Sequence, residues 1–255
     1  MGVQEINKQR VAHCFSQALT TYDQQAFAQQ QINEYLVALL VKQGKVDFSD
    51  VLEIGCGTGQ LTSLLAQHLN IAHWYLNDLC DVKEKIGEIL AGKSYDFFQV
   101  DAEYHHFPTK YDLIVSASTL QWFNDPLGFV QRSADKLNSQ GYLLLATFAP
   151  ENLLEIRQLT GVGLNYPNLA QWQQTLHRDF EILHLHQQQI ELAFNSPLQV
   201  LQHLKQTGVT ALSQGHWNKA KLQRFIGDYQ RLYALGQGKV RLTYQPIFIL
   251  ARKRT

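Results

Sequence analysis

The sequence predicts an α/β protein organised as a doubly wound, largely parallel sheet, and three observations carry that prediction. Between residues 50 and 149 short apolar segments alternate with helical patterns five times. The first apolar segment runs into Glu53-Ile54-Gly55-Cys56-Gly57-Thr58-Gly59, three glycines at alternate positions ahead of a helical pattern. The next two end on acidic residues, Asp78 and Asp101. In such a sheet, right-handed crossovers and the switch-point rule place a ligand at the carboxyl ends of the first and fourth strands.

Ahead of the sheet two helices are expected, over 7–18 and 24–41, forming a cap across 7–41. Val11, Cys14, Phe15 and Ala18 share one face of the first, and Ile32, Tyr35, Leu36, Leu39 and Leu40 one face of the second. The strand at 51–54 exits into the glycine loop, where missing side chains let the main chain turn sharply and approach a flat, polar ligand. The second strand, 71–76, closes on Asn77-Asp78, and Asp78 is placed to accept hydrogen bonds from both hydroxyls of a ribose. The third, 95–100, ends in Asp101-Ala102, the fourth spans 111–116, and the fifth, 141–147, follows a helix ending near Asn138. Their short, unbroken apolar character suits strands covered on both faces.

After Pro150 the pattern turns to glutamine-rich helical segments across 150–179, and again across 196–238, where helices are expected around Gly208 and Gly215. Between and after them lie two expected edge strands, 180–194 and 240–251. Pro246 suits an edge because proline donates no hydrogen bond to a ladder. The insertion between these strands is too long for a plain loop and is expected to form a helical, substrate-side lid.

Composition narrows the class. The 255 residues fit one domain, 45% hydrophobic and 17% charged, with 22 basic residues balancing 22 acidic ones. That balance argues against a nucleic-acid partner, which usually calls for a basic surplus. No apolar run reaches the length of a bilayer span, and residues 1–8 lack the pattern of a signal peptide, so a cytoplasmic protein is expected. Cys14, Cys56 and Cys80 are scattered, as free thiols in a reducing compartment would be, and Cys56 reads as a small filler in the glycine loop. The pairs His105-His106 and His184/His186 lack metal-site spacing, and no metal is expected.

The loop E-x-G-x-G-x-G resembles the first motif of S-adenosylmethionine-dependent methyltransferases. It differs from the dinucleotide pattern G-x-G-x-x-G in the position of its third glycine. Further segments are more specific: the N-terminal F-x-x-A-x-x-Y-D of Phe15, Ala18, Tyr22 and Asp23, the Leu120-Gln121-Trp122 turn, Leu204-Lys205-Gln206-Thr207-Gly208, and Arg241-Leu242-Thr243-Tyr244. Together they resemble the malonyl-acyl-carrier-protein O-methyltransferases of biotin synthesis, from about residue 7 onward. Gln206 and Val209 stand where that pattern has glycine and alanine.

The resemblance implies a Rossmann-like seven-stranded sheet with a helical insertion between its last two strands. It implies that S-adenosylmethionine is held by Glu53, Gly55, Cys56, Gly57 and Gly59, by Asp78 and Leu79, by Asp101 and Ala102, and by Ser116. Tyr22, Gln121, Trp122 and Lys205 are the implied substrate-positioning residues. The implied acceptor is the free carboxylate of a malonyl thioester on acyl carrier protein. A carboxylate is ionised in the cell and needs no general base, so no strict acid–base catalyst is expected. On the helix over 218–235, Lys221, Arg224 and Arg231 share a face with which an acidic carrier could dock, Lys219 lying nearby. Three other activities fit the same sheet: methylation of a small free polycarboxylate such as aconitate, C-methylation of a quinone precursor with His105-His106 as a base, and cofactor binding without catalysis.

Overall fold

Asn7 caps the first helix, its side chain accepting the backbone N–H of Arg10. The computed structural model, which describes residues 5–212 and 218–255, carries that helix, α1 (Lys8–Gln25), well past the expected end at 18. Nothing in residues 19–25 breaks a helix, so it continues to Ala26, whose backbone leaves helical geometry and hands over to α2 (Phe27–Val41). Residues 1–4, and Gly215 in the insertion, lie outside the described residues.

The alternation then proceeds as β1 (Asp47–Ile54), α3 (Gln60–His68), β2 (Asn70–Asp78), α4 (Lys83–Ile89), β3 (Ser94–Gln99) and β4 (Tyr111–Ala117). A 3-10 turn at Leu120–Trp122, α5 (Pro126–Lys136) and β5 (Leu137–Phe148) follow. Next come α6 (Leu154–Thr160), α7 (Leu169–His177), β6 (Phe180–Gln187), β7 (Ile190–Phe194), α8 (Pro197–Gln206) and a 3-10 turn at Val209–Leu212. The chain closes with α9 (Lys219–Tyr233), β8 (Ala234–Gly236), β9 (Lys239–Tyr244) and β10 (Pro246–Lys253). Among the described residues no helix is long and apolar enough to cross a membrane.

Seven strands form the main sheet in the order β3-β2-β1-β4-β5-β10-β6, with β1 to β5 parallel and β10 antiparallel to both neighbours. Side-chain alternation divides the core. Val51, Leu113 and Val115 join Ile32, Leu36 and Leu40 of α2 on one face. Leu52, Ile54 and Ile114 join Phe129 and Val130 of α5 on the other. The order reverses between β1 and β4, which opens a crevice at their carboxyl ends.

The last two expected strands each break in two. β6 and β10 stay in the main sheet, whereas β7 and β9 join β8 in a separate three-stranded sheet, order β7-β9-β8. The break is fixed by two hydrogen bonds: Gln188 N–H to the Pro246 carbonyl across the hairpin (2.9 Å), and Ala149 N–H, just past β5, to the Gln245 carbonyl (2.8 Å). β10 is an interior strand and β6 the outer one. Pro246 therefore marks no edge; it occupies the first residue of its strand, where a missing N–H is tolerated.

The insertion is correspondingly part sheet. α9 lies over β9, its Tyr229 hydroxyl donating to the Arg241 carbonyl (2.8 Å). Glu155 of α6 accepts from the Thr243 hydroxyl (2.6 Å) and pairs with Arg241 (3.5 Å).

Candidate active site

The crevice between β1 and β4 holds a cavity of about 980 Å³, open mouth included, roofed by α1. Its floor is the glycine loop, in which Gly55, Gly57 and Gly59 all have positive φ (71°, 52° and 82°). A Cβ on Gly55 would lie 2.1 Å from Oγ1 of Thr119, so the exits of β1 and β4 meet there only because the side chain is missing. Gly57 faces open space. Gly59 lies off the cavity, and a Cβ there would meet Ile89 of α4 at 2.2 Å, so this glycine serves helix packing.

Asp78 reaches the cavity from the tip of β2, its two carboxylate oxygens accepting Gly57 N–H and Cys80 N–H, each at 2.8 Å. Burial raises its carboxyl pKa, and those backbone donors hold the rise back. Asp101, after β3, accepts Glu103 N–H (3.1 Å) and approaches the Lys8 ammonium (3.5 Å). Leu79, Cys56 and Ala102 complete this wall. Burial pushes the Cys56 thiol well up, which suits a filler.

Two expected residues stand behind the cavity. Glu53 is 1% exposed, and its Oε2 accepts the Thr62 hydroxyl (2.8 Å), tying β1 to α3. Burial pushes its carboxyl up to about 8. Ser116 is buried, its hydroxyl donating to the Ile54 carbonyl (2.8 Å), tying β4 to β1.

A second chamber of about 380 Å³ adjoins the first and shares Phe15, Tyr22, Gln29, Ser118 and Trp122 with it. Gln121 lines this chamber alone, its Nε2 donating to the Ser118 carbonyl (2.6 Å). Burial first, then Asp23 and Asp78, push the Tyr22 phenol pKa up, so it stays a neutral donor. Tyr244 closes the chamber from β9, its hydroxyl 2.8 Å from Nε2 of His203. Burial drives His203 down to about 4, which keeps it neutral. Lys205, the expected lid cation, is exposed on α8 and lines neither chamber.

The segments specific to the resemblance meet here. Gly208 (φ 74°) lies against Phe15 so closely that a Cβ would be 2.6 Å from its Cδ1, and the Thr21 hydroxyl donates to the Gln206 carbonyl (3.0 Å). Phe15 in turn packs edge-on against Trp122, ring centres 5.5 Å apart.

Residues 22–195 match the methyltransferase domain family. The malonyl-[acyl-carrier protein] O-methyltransferase of Haemophilus influenzae is 45% identical, covering 97% of this chain and 95% of its own. Its namesake from Haemophilus ducreyi is 47% identical over 98% of both chains. The chain belongs to the malonyl-[acyl-carrier protein] O-methyltransferase family. Solved structures show the same fold at low identity. YcgJ of Bacillus subtilis has a TM-score of 0.62 at 18% identity, covering 87% of this chain and 99% of its own. The magnesium protoporphyrin IX methyltransferase of Synechocystis PCC 6803, with bound S-adenosylhomocysteine, has a TM-score of 0.55 at 18% identity, covering 89% and 83%. Fold, motif and relatives make this family member an S-adenosylmethionine-dependent methyltransferase.

Other parts of the site escape motif reading. In this family member α1 is fastened at both ends. Glu103 accepts from Lys8 (2.7 Å), Asn124 N–H (2.9 Å) and Asp125 N–H (2.6 Å). At the far end Asp23 accepts from Thr58 (2.5 Å), Gln60 (3.0 Å) and Lys85 (2.6 Å). Lys8 and Asp23 sit near the two ends of α1, and of the two only Asp23 belongs to a sequence motif, the F-x-x-A-x-x-Y-D segment. His105 packs against Phe98 and Phe107 and lines neither chamber, so it is remote from any proton abstraction there. Among the described residues no group of three His, Cys, Asp or Glu side chains is placed to hold a metal ion. On α9, Arg224 and Arg231 both pair with Asp228 (3.6 and 2.9 Å) and stay exposed, as do Lys219 and Lys221.

Proposed function

We propose that this protein methylates the free carboxylate of a malonyl thioester carried on acyl carrier protein, an early step of biotin synthesis. Similarity over the whole chain to relatives of that name carries the reading. It includes the segments that frame the acceptor chamber, and free thiols at Cys14, Cys56 and Cys80 support a cytoplasmic setting.

The first cavity fits S-adenosylmethionine on its own chemistry. Asp78 spends one lone pair per oxygen on the backbone and keeps others for ribose hydroxyls. Asp101 and Ala102 stand where an adenine edge needs an acceptor and an apolar face, and Gly57 leaves the main chain open to the ligand. When bound, the sulfonium supplies an electrophilic methyl. An acceptor oxygen lone pair forms the new bond, the carbon–sulfur pair returns to sulfur, and no proton moves. The protein's part is alignment and exclusion of water, which Tyr22, Phe15 and Trp122 perform at the junction of the chambers.

An acidic carrier protein would dock on the face of α9 that carries Lys221, Arg224 and Arg231, which stays positive after Asp228 is counted. The test is transfer of labelled methyl to malonyl-carrier protein beside malonyl-coenzyme A and free diacids. Labelling of the malonyl thioester, lost when its carboxyl is already esterified, is the expected result. Labelling of free acids alone overturns the acceptor.

A further inference from the structure

Resting on the reading just given, we propose that the acceptor carboxylate is held by two uncharged donors, the Trp122 indole N–H and the Ser118 hydroxyl, in a chamber that accepts one negative charge and rejects a second. Both residues line both chambers, which puts them at the junction where transfer must occur. Nε1 of Trp122 and Oγ of Ser118 are buried without a hydrogen-bond partner among the described residues. Buried donors left unpaired are costly, and their retention at a ligand junction points to an acceptor atom that arrives with the ligand.

The main chain is arranged around this task. β4 ends at Ala117, and Ser118 then takes a left-handed conformation (φ 54°) that turns its side chain out of the strand alternation. Its N–H donates to the Ala146 carbonyl (2.9 Å) and its own carbonyl receives Gln121 Nε2 (2.6 Å). Only the hydroxyl is left unpaired. Trp122 is 5% exposed and braced by Phe15, which fixes the direction of its N–H.

The second chamber carries no formal charge on any described lining residue, and Phe148, Leu153 and Leu164 make much of its wall apolar. One carboxylate at the junction gains two donors. A second, deeper in, loses its hydration and meets only neutral side chains, such as Tyr166, Asn152 and Thr207, with no cation to offset its charge. A malonyl thioester presents a neutral carbonyl there, whereas a free diacid presents a charge. Neutral donors also leave more nucleophilicity on the carboxylate than a tight cationic clamp would.

The test uses wild type, Trp122→Phe and Ser118→Ala with malonyl thioester, monomethyl malonate and free malonate, and measures S-adenosylhomocysteine affinity in parallel as a control for folding. Each variant is expected to raise KM for both monoanions about tenfold, the effect of losing one hydrogen bond to a charged group, with cofactor-product affinity held within about twofold. Wild type is expected to use either monoanion about tenfold better than malonate at about pH 8, the gap narrowing as acid protonates malonate. Unchanged KM in both variants, or malonate used as readily as its half ester, overturns the proposal. Activity on monomethyl malonate but not on the thioester, with the same variant effects, keeps the neutral donors and overturns the acceptor reading. No transfer to any of the three overturns both.

Discussion

The two chambers share a wall and obey opposite rules. The floor and inner wall of the cofactor side come from one stretch of chain, Gly55 to Ala102, which presents Asp78 and Asp101 at strand ends fixed by the parallel ladder. The acceptor side is assembled from α1, the turn after β4, the lid and β9, and its described lining carries no charge. A large polar ligand is recognised by fixed hydrogen-bond partners, which strand tips supply cheaply. A nucleophile that must remain reactive is better served by shape and neutral donors, which only tertiary packing can supply.

Damage to one side should therefore spare the other. The largest effect is expected at Gly55, where alanine would combine strained φ with a Cβ 2.1 Å from Thr119. Gly55→Ala should weaken S-adenosylhomocysteine binding about 100-fold in a calorimetric titration, as displaced loop donors and backbone strain together imply. Removing the clashing hydroxyl and methyl in the double variant with Thr119→Ala should recover part of it; an affinity unaffected by Gly55→Ala would mean the loop does not seat the nucleotide. Gly208→Val is the mirror case. Its side chain would press on Phe15, so KM for the acceptor should rise about tenfold while cofactor affinity stays within about threefold. A variant that loses both affinities equally would show the chambers to be one site.

The smallest expected effect concerns stability rather than binding. Glu53 is raised from 4.5 to about 8, so the folded state holds its proton more tightly than the unfolded state. Its contribution is complete below about pH 4.5 and is lost as pH rises through about 8. His203 works in the opposite sense. Lowered from 6.5 to about 4, it destabilises as pH falls through that range and has no effect above it. Between pH 6.5 and 8 only Glu53 of this pair acts, so Glu53→Gln should flatten the fall in melting temperature measured across that window. An unchanged slope would assign the pH dependence elsewhere.

The cofactor half was readable in advance because its determinants are local. Strand period, glycine spacing and terminal acids lie within a few residues of one another, and β1 to β5 appear where the sequence puts them. What a single segment cannot encode was missed. Ser116 looked like a ligand, yet it still belongs to the strand and turns inward to Ile54, while Ser118, past the strand end, faces the junction. Lys8, Asp23 and Glu103 look like ordinary solvated charges until the fold brings Asp101, Thr58 and Lys85 to them. Lys205 invited the opposite error, a cation at a suggestive position that packing leaves in solvent.

The paired break in the last hairpin has a further consequence. Gln187 and Ile247 form the last rung of the main sheet there, and Ile190 and Tyr244 the first rung of the small one. Two residues span the gap on each side, Gln188-Gln189 and Gln245-Pro246. A one-residue insertion on either side alone would turn every following side chain of that strand to the opposite face, carrying Tyr244 or its partner out of place. Pro246 also pairs with Phe148 of β5, so the second spacer is tied to the main sheet as well, and substitution is tolerated there more readily than insertion.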